Sequence, residues 1–367
     1  MLVCLPIICL LLSQALWFIF GKPRFITEIT SPEKSPKVSL IIPARDEEEN
    51  LPRLLESIQA STTQPYEVLV IDDGSTDDNA KIANAAGATV IQPAPLPDDW
   101  KGKPWACQEG AQQATGDWLF FLDADVWLEK DGLEKVFSLA QDLDHVSSIC
   151  PYHHIESPAE ELSSFFNLIM AAGVNAFGFP TSTQSSPALF GQSLFISKKI
   201  YQEGEGHQHV KGEILENFHL AEHLEKRGII RHCYLGRGTL SMQMFKKGLP
   251  ELWQSWKKGF TSGAKQASPR ALLLISLWLT AGMTIITALA LLVLPSSGGT
   301  LFTSLTILSY LFFATQCLWS FRKVGNFSPL NALFFPITLL FYQILFFTAL
   351  IEKKRGVTTN WKGRDVS

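Results

Sequence analysis

Short apolar runs alternate with longer stretches of mixed polarity through the middle of the chain. The runs at residues 38–42, 68–71, 88–91 and 118–122 carry no charge, which is typical of strands buried in a parallel sheet. The stretches between them have helical spacing or helix-start residues. Strands alternating with helices in this order predict an α/β fold with a Rossmann-like, mostly parallel sheet.

Both ends of the chain are more apolar than its middle. Four apolar segments are long enough to cross a bilayer core of about 30 Å. These candidate spans cover residues 2–20, 271–294, 300–321 and 331–351. The first lacks a basic start and a small-residue cleavage site, which favours an uncleaved anchor. The predicted organisation is an N-terminal transmembrane anchor at 1–21, a linker at 22–37, a folded domain at 38–245, an amphipathic interfacial helix at 246–268, transmembrane segments within 269–351 and a basic tail at 352–367.

Basic residues beside the apolar segments predict their orientation. Lys22 and Arg24 follow the anchor, and Arg322 and Lys323 follow the second C-terminal span, so we expect the folded domain to face the cytoplasm. A full third span would place the basic residues 353–355 outside. A re-entrant or interfacial segment, helped by Pro336, and a different number of spans are both left open.

Two stretches outside the predicted spans have amphipathic spacing. The stretch at 249–260 carries tryptophans and lysines beside its apolar positions and directly precedes a span, which predicts an interfacial helix. The stretch at 162–170 has the same spacing, and for it packing inside the folded protein is an equal alternative.

Composition excludes several classes of function. The net charge is −4, so nothing indicates a nucleic-acid partner. The six cysteines form no CxxC pair, which favours reduced thiols. Neither a GxGxxG nor a GxxxxGK[ST] motif is present, so a phosphate ligand would have to be bound by other groups than a glycine-rich loop of these types.

Acidic residues follow three of the predicted strands. They are Glu47 after the first strand, Asp72 and Asp73 after the second, and Asp123 and Asp125 after the fourth. The carboxyl ends of parallel strands share one edge of the sheet, where open α/β sheets bind ligands. Residues 123 and 125 face the same way on extended backbone, so both carboxylates can bind one hard cation. Any one pair alone could equally be a solvated or capping acid.

These acidic segments carry a family resemblance. Residues 41–48 (IIPARDEE), 72–77 (DDGSTD) and 123–125 (DAD) resemble family 2 glycosyltransferases of the GT-A fold. The resemblance implies a UDP-sugar donor, with a nucleotide-sugar half at 38–130 and an acceptor half at 131–245. It implies that Asp123 and Asp125 hold Mg²⁺ or Mn²⁺ on the diphosphate. It also implies nucleotide contacts from Pro43, Arg45, Glu47 and Asp72 or Asp73.

Further motifs resemble one branch of that family. They lie at residues 100–106 (WKGKPWA), 151–153, 166–168, 174–177, 324–328 and in the tail at 355–364. They resemble the 4,4′-diaponeurosporenoate glycosyltransferases of carotenoid synthesis, and hopanoid-associated glycosyltransferases share the first motif. Lys103 is implied as a phosphate or nucleotide contact, with an ordinary loop lysine as the alternative.

The base position departs from the family pattern. The wider family usually has Glu-Asp here, with the aspartate as general base, whereas this chain has Glu216 followed by Asn217, and an amide cannot accept the proton. Glu216 is the first candidate base and Glu213 the second. An acceptor carboxylic acid, with a pKa of about 4, is already ionised near neutral pH and needs no base.

Histidines near this position suggest a competing metal site. Residues 219–223 match the HxxEH pattern of inverted zinc proteases, with no third ligand evident in the sequence. His207 and His209 are within reach of a cation at the sheet edge, but we interpret them as surface loop histidines.

The favoured function is that of a multi-pass cell-membrane glycosyltransferase whose catalytic domain faces the cytoplasm. It transfers a hexose, with glucose favoured, from a UDP-sugar to a hydrophobic lipid or carotenoid acceptor by metal-dependent inverting displacement. The alternatives are transfer to a hopanoid, another glycolipid or a polyprenyl phosphate, and an inactive UDP-sugar-binding scaffold at the membrane. A transporter is disfavoured because the spans hold few polar residues.

Overall fold

The structure is a computed structural model that describes residues 2–27, 35–141, 145–179, 185–213, 216–263, 268–294, 299–355, 359–361 and 364–366. Parts of the predicted linker, interfacial helix and basic tail lie outside the described residues. The chain forms two compact units. A sheet unit contains residues 23–152 and 182–243, and a helical unit contains residues 1–22, 153–181 and 244–367.

The helices and strands are numbered in chain order. The helices are α1 Cys4–Ser13, α2 Ala15–Phe20, α3 Leu51–Gln59, α4 Asn79–Ala85, α5 Gly102–Gln113, α6 Gly132–Phe137, α7 Ser164–Gly173, α8 Lys198–Glu203, α9 Glu216–Lys226, α10 Leu249–Gly263, α11 Pro269–Leu292, α12 Thr300–Val324, α13 Pro329–Leu333 and α14 Phe335–Lys354. Short 3₁₀ helices are Glu160–Ser163 and Gly206–Val210. The strands are β1 Val38–Ala44, β2 Glu67–Asp72, β3 Thr89–Ile91, β4 Trp118–Leu122, β5 Val126–Leu128, β6 His145–Cys150, β7 Tyr152–His153, β8 Ser193–Ser197, β9 Ile230–Leu235, β10 Leu240–Met242, β11 Thr359–Trp361 and β12 Arg364–Val366.

The main sheet has the order β3-β2-β1-β4-β8-β6-β9. The first four strands are parallel, β8 is antiparallel to both of its neighbours, and β6 and β9 are parallel. The predicted mostly parallel α/β fold is therefore confirmed. Because β1, β2 and β4 run in one direction, their carboxyl ends meet at one edge of the sheet, which we call the rim.

The centre of the sheet is buried on both faces. Every residue of β4 is buried, which explains why its sequence is a continuous apolar run instead of an alternating one. Trp118 of β4 stacks on Phe195 of β8, with ring centroids 4.9 Å apart. Strand β8 begins at Ser193. In the part of the chain that the structure describes, helix α9 begins at Glu216, and Glu213 lies before it.

Among the described residues, the helical unit contains three helices that are long and apolar enough to cross a membrane. Helices α11, α12 and α14 have mean hydropathies of 2.1, 1.5 and 1.7 in their most apolar windows. They match the three predicted C-terminal spans. Pro336 lies in the first turn of α14, where a proline does not break a helix. Residues 4–20 form a shorter apolar helical segment, so a full N-terminal span stays a prediction.

Helix α7 is packed within the helical unit. Phe165 and Phe166 are almost fully buried. Phe165 contacts the rings of Trp278 and Phe321, and Phe166 stacks on Trp256 with a centroid separation of 4.7 Å. Of the two alternatives for residues 162–170, the structure shows packing inside the protein.

A glycine allows α5 to lie directly on the sheet. A Cβ at Gly110 would stand 2.5 Å from Ile41 Cγ2 and 3.0 Å from Ile71 Cδ1, on strands β1 and β2. Both contacts are to branched side chains in the sheet core, where neighbours have little room to move.

We predict that Gly110→Ala destabilises the protein by about 1–3 kcal/mol, because the added methyl group overpacks this contact. Thermal unfolding of the purified protein measures the effect. Gln112→Ala, on the exposed side of the same helix, is the control and should change stability by less than about 0.5 kcal/mol. Equal unfolding midpoints for the two variants would contradict the tight helix–sheet contact.

Candidate active site

Hydrogen bonds between acidic and polar groups join the two loops at the rim that follow β1 and β2. Asp46 Oδ1 accepts from the Thr76 backbone N–H at 2.8 Å and from the Thr76 hydroxyl at 3.1 Å. The Glu48 N–H donates to Asp77 Oδ2 at 2.9 Å. Asp46 has φ 51° and Gly74 has φ 71°, and both values lie in the left-handed region. Several carboxylates of these loops therefore stabilise the loops themselves.

The predicted nucleotide residues of the rim have different local roles. Asp72 is buried, and its Oδ1 accepts from the Ser75 N–H at 3.0 Å, which stabilises the turn after β2. Arg45 Nη1 lies 3.8 Å from Asp73 Oδ2 and 3.4 Å from the Asp73 carbonyl. Arg45 and Asp73 thus form a charged pair at the rim, while Asp72 supports the turn beneath it.

Two strand ends bring three carboxylates together. Burial, together with the neighbouring charges of Asp123 and Glu47, raises the pKa of Asp125 to about 7. Asp125 Oδ1 is buried and has no hydrogen-bond partner among the described residues. Glu47 also accepts from the Asn50 side-chain amide at 2.8 Å. An unpartnered buried carboxylate oxygen beside two further carboxylates fits a hard divalent cation.

The protein supplies only part of such a cation site. Within the described ranges, no group of three or more His, Cys, Asp or Glu side chains is arranged to hold a metal ion by itself. Mg²⁺ is commonly held by one or two carboxylates together with substrate phosphates and water. Asp123 and Asp125 are therefore a suitable ligand pair for a cation that arrives with a diphosphate.

Lys103 connects the cation carboxylates to the candidate base. From the first turn of α5, its ammonium lies 2.6 Å from Asp123 Oδ1 and 3.3 Å from Glu216 Oε1, and it donates to the Gly191 carbonyl at 2.9 Å. Burial by itself lowers the pKa of Lys103, but the charges of Asp123 and Glu216 outweigh burial and raise that pKa above its ordinary value.

A pocket in the sheet unit adjoins this ion-paired cluster. Lys103, Asp123 and Glu216 line it on the polar side, and Pro43 also lines it. Its apolar walls come from Cys107, Phe121, Leu189, Phe190, Leu194 and Leu220. The arrangement combines the Lys103 ammonium and its two carboxylate partners with a surface suited to an apolar ligand.

The two candidate bases differ in position. Glu216 lines the pocket and is almost buried. Glu213 is half-exposed, and its Oε2 lies 3.2 Å from His219 Nε2. Asn217, at the usual base position, donates its side-chain amide to the Leu189 carbonyl and so holds a pocket wall. The structure brings Glu216, but not Glu213, to Lys103 and Asp123.

His207 is a pocket residue that the sequence pattern did not reveal. The interpretation of His207 as a surface loop histidine is wrong, because its side chain is buried and lines the pocket. Its Nδ1 lies 2.7 Å from the Tyr201 hydroxyl. Burial and the charge of Lys103 lower the pKa of His207 to about 3, so the ring is neutral. The neighbouring Gly206 has φ 54°, and a Cβ there would lie only 2.3 Å from the Tyr201 ring. A glycine at this position is the one feature of the sequence that agrees with the close packing.

The remaining histidines form no metal site in the described part of the chain. His209 is half-exposed and stacks on His223, with ring centroids 3.6 Å apart. His219 pairs with Glu213. The HxxEH residues therefore make contacts with neighbouring side chains, and no third zinc ligand is found with them in those residues.

We predict that Asp125→Asn stabilises the protein when cations are removed by a chelator, and more so at pH 8 than at pH 5. Since the folded-state pKa of Asp125 is raised to about 7 while an unfolded aspartate titrates near 3.9, folding stability is lost as pH rises between these values. The amide removes this loss. Thermal unfolding at the two pH values should show a midpoint gain of about 2 °C or more at pH 8.

The matched control for this variant is Asp117→Asn, which changes an exposed aspartate before the other end of β4. It should shift the midpoint little at either pH. A midpoint gain for Asp125→Asn that is equal at pH 5 and pH 8 would contradict the carboxylate repulsion.

Comparison with solved structures returned proteins with low identity to this chain. The mannosyltransferase PcManGT from Pyrobaculum calidifontis, solved with GDP-Man and Mn²⁺, is 15% identical with a TM-score of 0.47, over 94% of this chain and 99% of that chain. Glucosyl-3-phosphoglycerate synthase from Mycobacterium tuberculosis, solved with Mn²⁺, UDP and glucosyl-3-phosphoglycerate, is 17% identical with a TM-score of 0.41, over 71% of this chain and 88% of that chain.

Sequence comparison is more specific. The family model for glycosyl transferase family 2 matches residues 39–203. A 4,4'-diaponeurosporenoate glycosyltransferase of Staphylococcus aureus (strain USA300) is 30% identical over 334 residues, which cover 90% of this chain and 88% of the relative. The corresponding protein of the bovine strain RF122 is 31% identical over the same shares. The matched domain contains the rim carboxylates and Lys103, and the chain belongs to glycosyl transferase family 2.

Proposed function

We propose that this glycosyltransferase moves a hexose, with glucose favoured, from a UDP-sugar to the carboxylate of a lipidic acceptor of the carotenoid-acid type. The observation that carries the proposal is the charged cluster at the rim. Asp123 stands beside Lys103 at a pocket with several apolar walls, and Asp125 adds a carboxylate whose charge interacts with that of Asp123. Such a site suits a reaction between a charged diphosphate sugar and a greasy acceptor.

Asp123 and Asp125 are the proposed holders of Mg²⁺ or Mn²⁺, with Glu47 adding negative charge beside them. The orphaned Asp125 Oδ1 supports this assignment. Bound there, the cation supplies a Lewis acid that neutralises charge on the departing diphosphate. Lys103 adds a second positive charge at the same place, on a helix whose first turn also favours anions.

The nucleotide contacts are proposed for the rim residues nearest to this cluster. Arg45 and Asp73 pair at the end of β1 and β2, and Asp72 braces the turn that carries Asp73. Pro43 lines the pocket. With the loops after β1 and β2 joined by hydrogen bonds, these groups are held before the donor binds, and such preorganisation reduces the cost of binding.

The chemical step balances without a protein base. An acceptor carboxylate oxygen attacks the anomeric carbon, the bond from that carbon to the diphosphate oxygen breaks, and the electron pair leaves with UDP. Configuration inverts in this single displacement. The acceptor brings no proton to remove, because a carboxylic acid is ionised near pH 7. This fits Asn217, which binds a backbone carbonyl, and Glu216, which pairs with Lys103.

The acceptor class is supported by the relatives and by the helical unit. The Staphylococcus aureus relatives are named for 4,4'-diaponeurosporenoate, a carotenoid acid. In the described part of the chain, three helices are long and apolar enough to cross a membrane, which suits an enzyme whose acceptor dissolves in lipid. Lys22, Arg24, Arg322 and Lys323 support a cytoplasmic catalytic domain.

The function is tested with purified protein in lipid nanodiscs, radiolabelled UDP-glucose and three acceptors: a carotenoid carboxylic acid, the matching alcohol of equal chain length and a polyprenyl phosphate. We expect metal-dependent transfer to the acid, and Asp125→Asn should lower it about 100-fold or more. Transfer to the alcohol or to a polyprenyl phosphate alone would overturn the acceptor assignment. UDP binding with neither transfer nor metal-dependent donor hydrolysis would indicate a scaffold.

The absence of a required base gives a separate prediction. Glu216→Gln and Glu213→Gln should each lower transfer to the acid by less than about tenfold, whereas loss of a true general base costs about 10²–10⁴-fold. Initial rates at saturating donor measure this. A collapse to background for either variant would show that the carboxylate is needed as a base.

A further inference from the structure

Lys103 and a divalent cation require the same carboxylate. The ammonium lies 2.6 Å from Asp123 Oδ1, the shortest of its three polar contacts. Asp123 is also the first carboxylate of the proposed cation pair. A cation bound to Asp123 would stand within a few ångströms of the ammonium, where two positive charges repel strongly in a partly buried site.

The surroundings let Lys103 leave Asp123 without leaving the site. Its backbone lies in the first turn of α5, which Gly110 anchors to the sheet. Its side chain is 31% exposed, and the ammonium stands at the end of a flexible chain of four carbons. Glu216 Oε1, at 3.3 Å, and the Gly191 carbonyl, at 2.9 Å, already share the ammonium. The lysine can thus exchange one negative partner for another by rotating its side chain.

We propose that Lys103 is a positioning residue that neutralises Asp123 until a cation enters with the nucleotide, and that its ammonium then turns to the diphosphate. This inference rests on the proposed function, because it needs the diphosphate as the new partner of Lys103. Its consequence is that the cation alone binds weakly and the cation with nucleotide binds tightly.

The consequence follows from charge. Without nucleotide, a cation must displace the ammonium from Asp123, and Glu216 is then its remaining negative partner, beside the neutral Gly191 carbonyl. With nucleotide bound, the displaced ammonium can donate hydrogen bonds to the diphosphate oxygens. Its positive charge therefore keeps negative partners after it leaves Asp123. Cation and UDP therefore each strengthen the binding of the other, and this coupling is reciprocal.

The test measures Mn²⁺ binding directly, by the electron paramagnetic resonance signal of free Mn²⁺, with and without UDP. In the wild type, UDP should strengthen Mn²⁺ binding strongly. Without UDP, Lys103→Met should bind Mn²⁺ at least about tenfold more tightly than the wild type does. The expected size follows because an opposite charge at this distance shifts the ionisation equilibrium of a carboxylate by about 1–3 log units. In this variant UDP should strengthen Mn²⁺ binding less than it does in the wild type, and the rate of sugar transfer should fall.

Two variants serve as matched controls. Lys101→Met removes the same charge from an exposed position two residues earlier, and it should leave Mn²⁺ binding unchanged. Lys103→Arg keeps the charge at the site, and it should keep Mn²⁺ binding without UDP weak. Thermal unfolding of all variants separates a folding defect from a change in binding.

The outcomes separate the inference from the function. Unchanged or weaker Mn²⁺ binding by folded Lys103→Met without UDP overturns the inference, and the proposed function stands if the wild type still transfers sugar. If Lys103→Met does not fold, Lys103→Arg decides: tight Mn²⁺ binding without UDP in this variant overturns the inference. Absence of Mn²⁺ binding in the wild type with UDP, together with no transfer, overturns both.

Discussion

Repulsion among carboxylates at the rim is the constraint on which the rest of the site depends. Glu47, Asp123 and Asp125 come from the ends of two parallel strands, and the burial of Asp125 makes its charged form costly. The fold places them together because β1 and β4 are adjacent and parallel. The repulsion lowers the stability of the folded protein and raises the affinity of the site for positive charge. Binding a diphosphate sugar together with its cation requires such an affinity.

The other acidic and basic residues of the rim limit this cost. Asp46, Asp72 and Asp77 accept backbone hydrogen bonds and hold the loops. Lys103 neutralises Asp123 and reaches Glu216. The acids that looked equivalent in the sequence thus divide into those that brace the loops and those that face the candidate site.

Much of the fold could be predicted from the sequence, because periodicity reports burial directly. Strand β4 coincides with the uncharged run at 118–122, and the three C-terminal helices follow from apolar length. The contact of Lys103 with Glu216 could not be predicted, since it joins side chains from α5 and α9 across more than a hundred residues. His207 was missed because a histidine in a glycine-containing loop has no periodic signal, and only its packing against Tyr201 buries it. The role of Asn217 as a support for Leu189 likewise depends on tertiary contact.

We propose that the rim cluster of this family 2 enzyme glycosylates a lipidic carboxylic acid. Mass spectrometry of total lipids tests this directly, in membranes that contain a carotenoid acid and express either the wild type or Asp125→Asn at equal levels. We expect a hexosyl ester that appears only with the wild type and that mild alkali cleaves to the free acid. A new glycolipid that resists alkali, or one formed equally by both proteins, would contradict it.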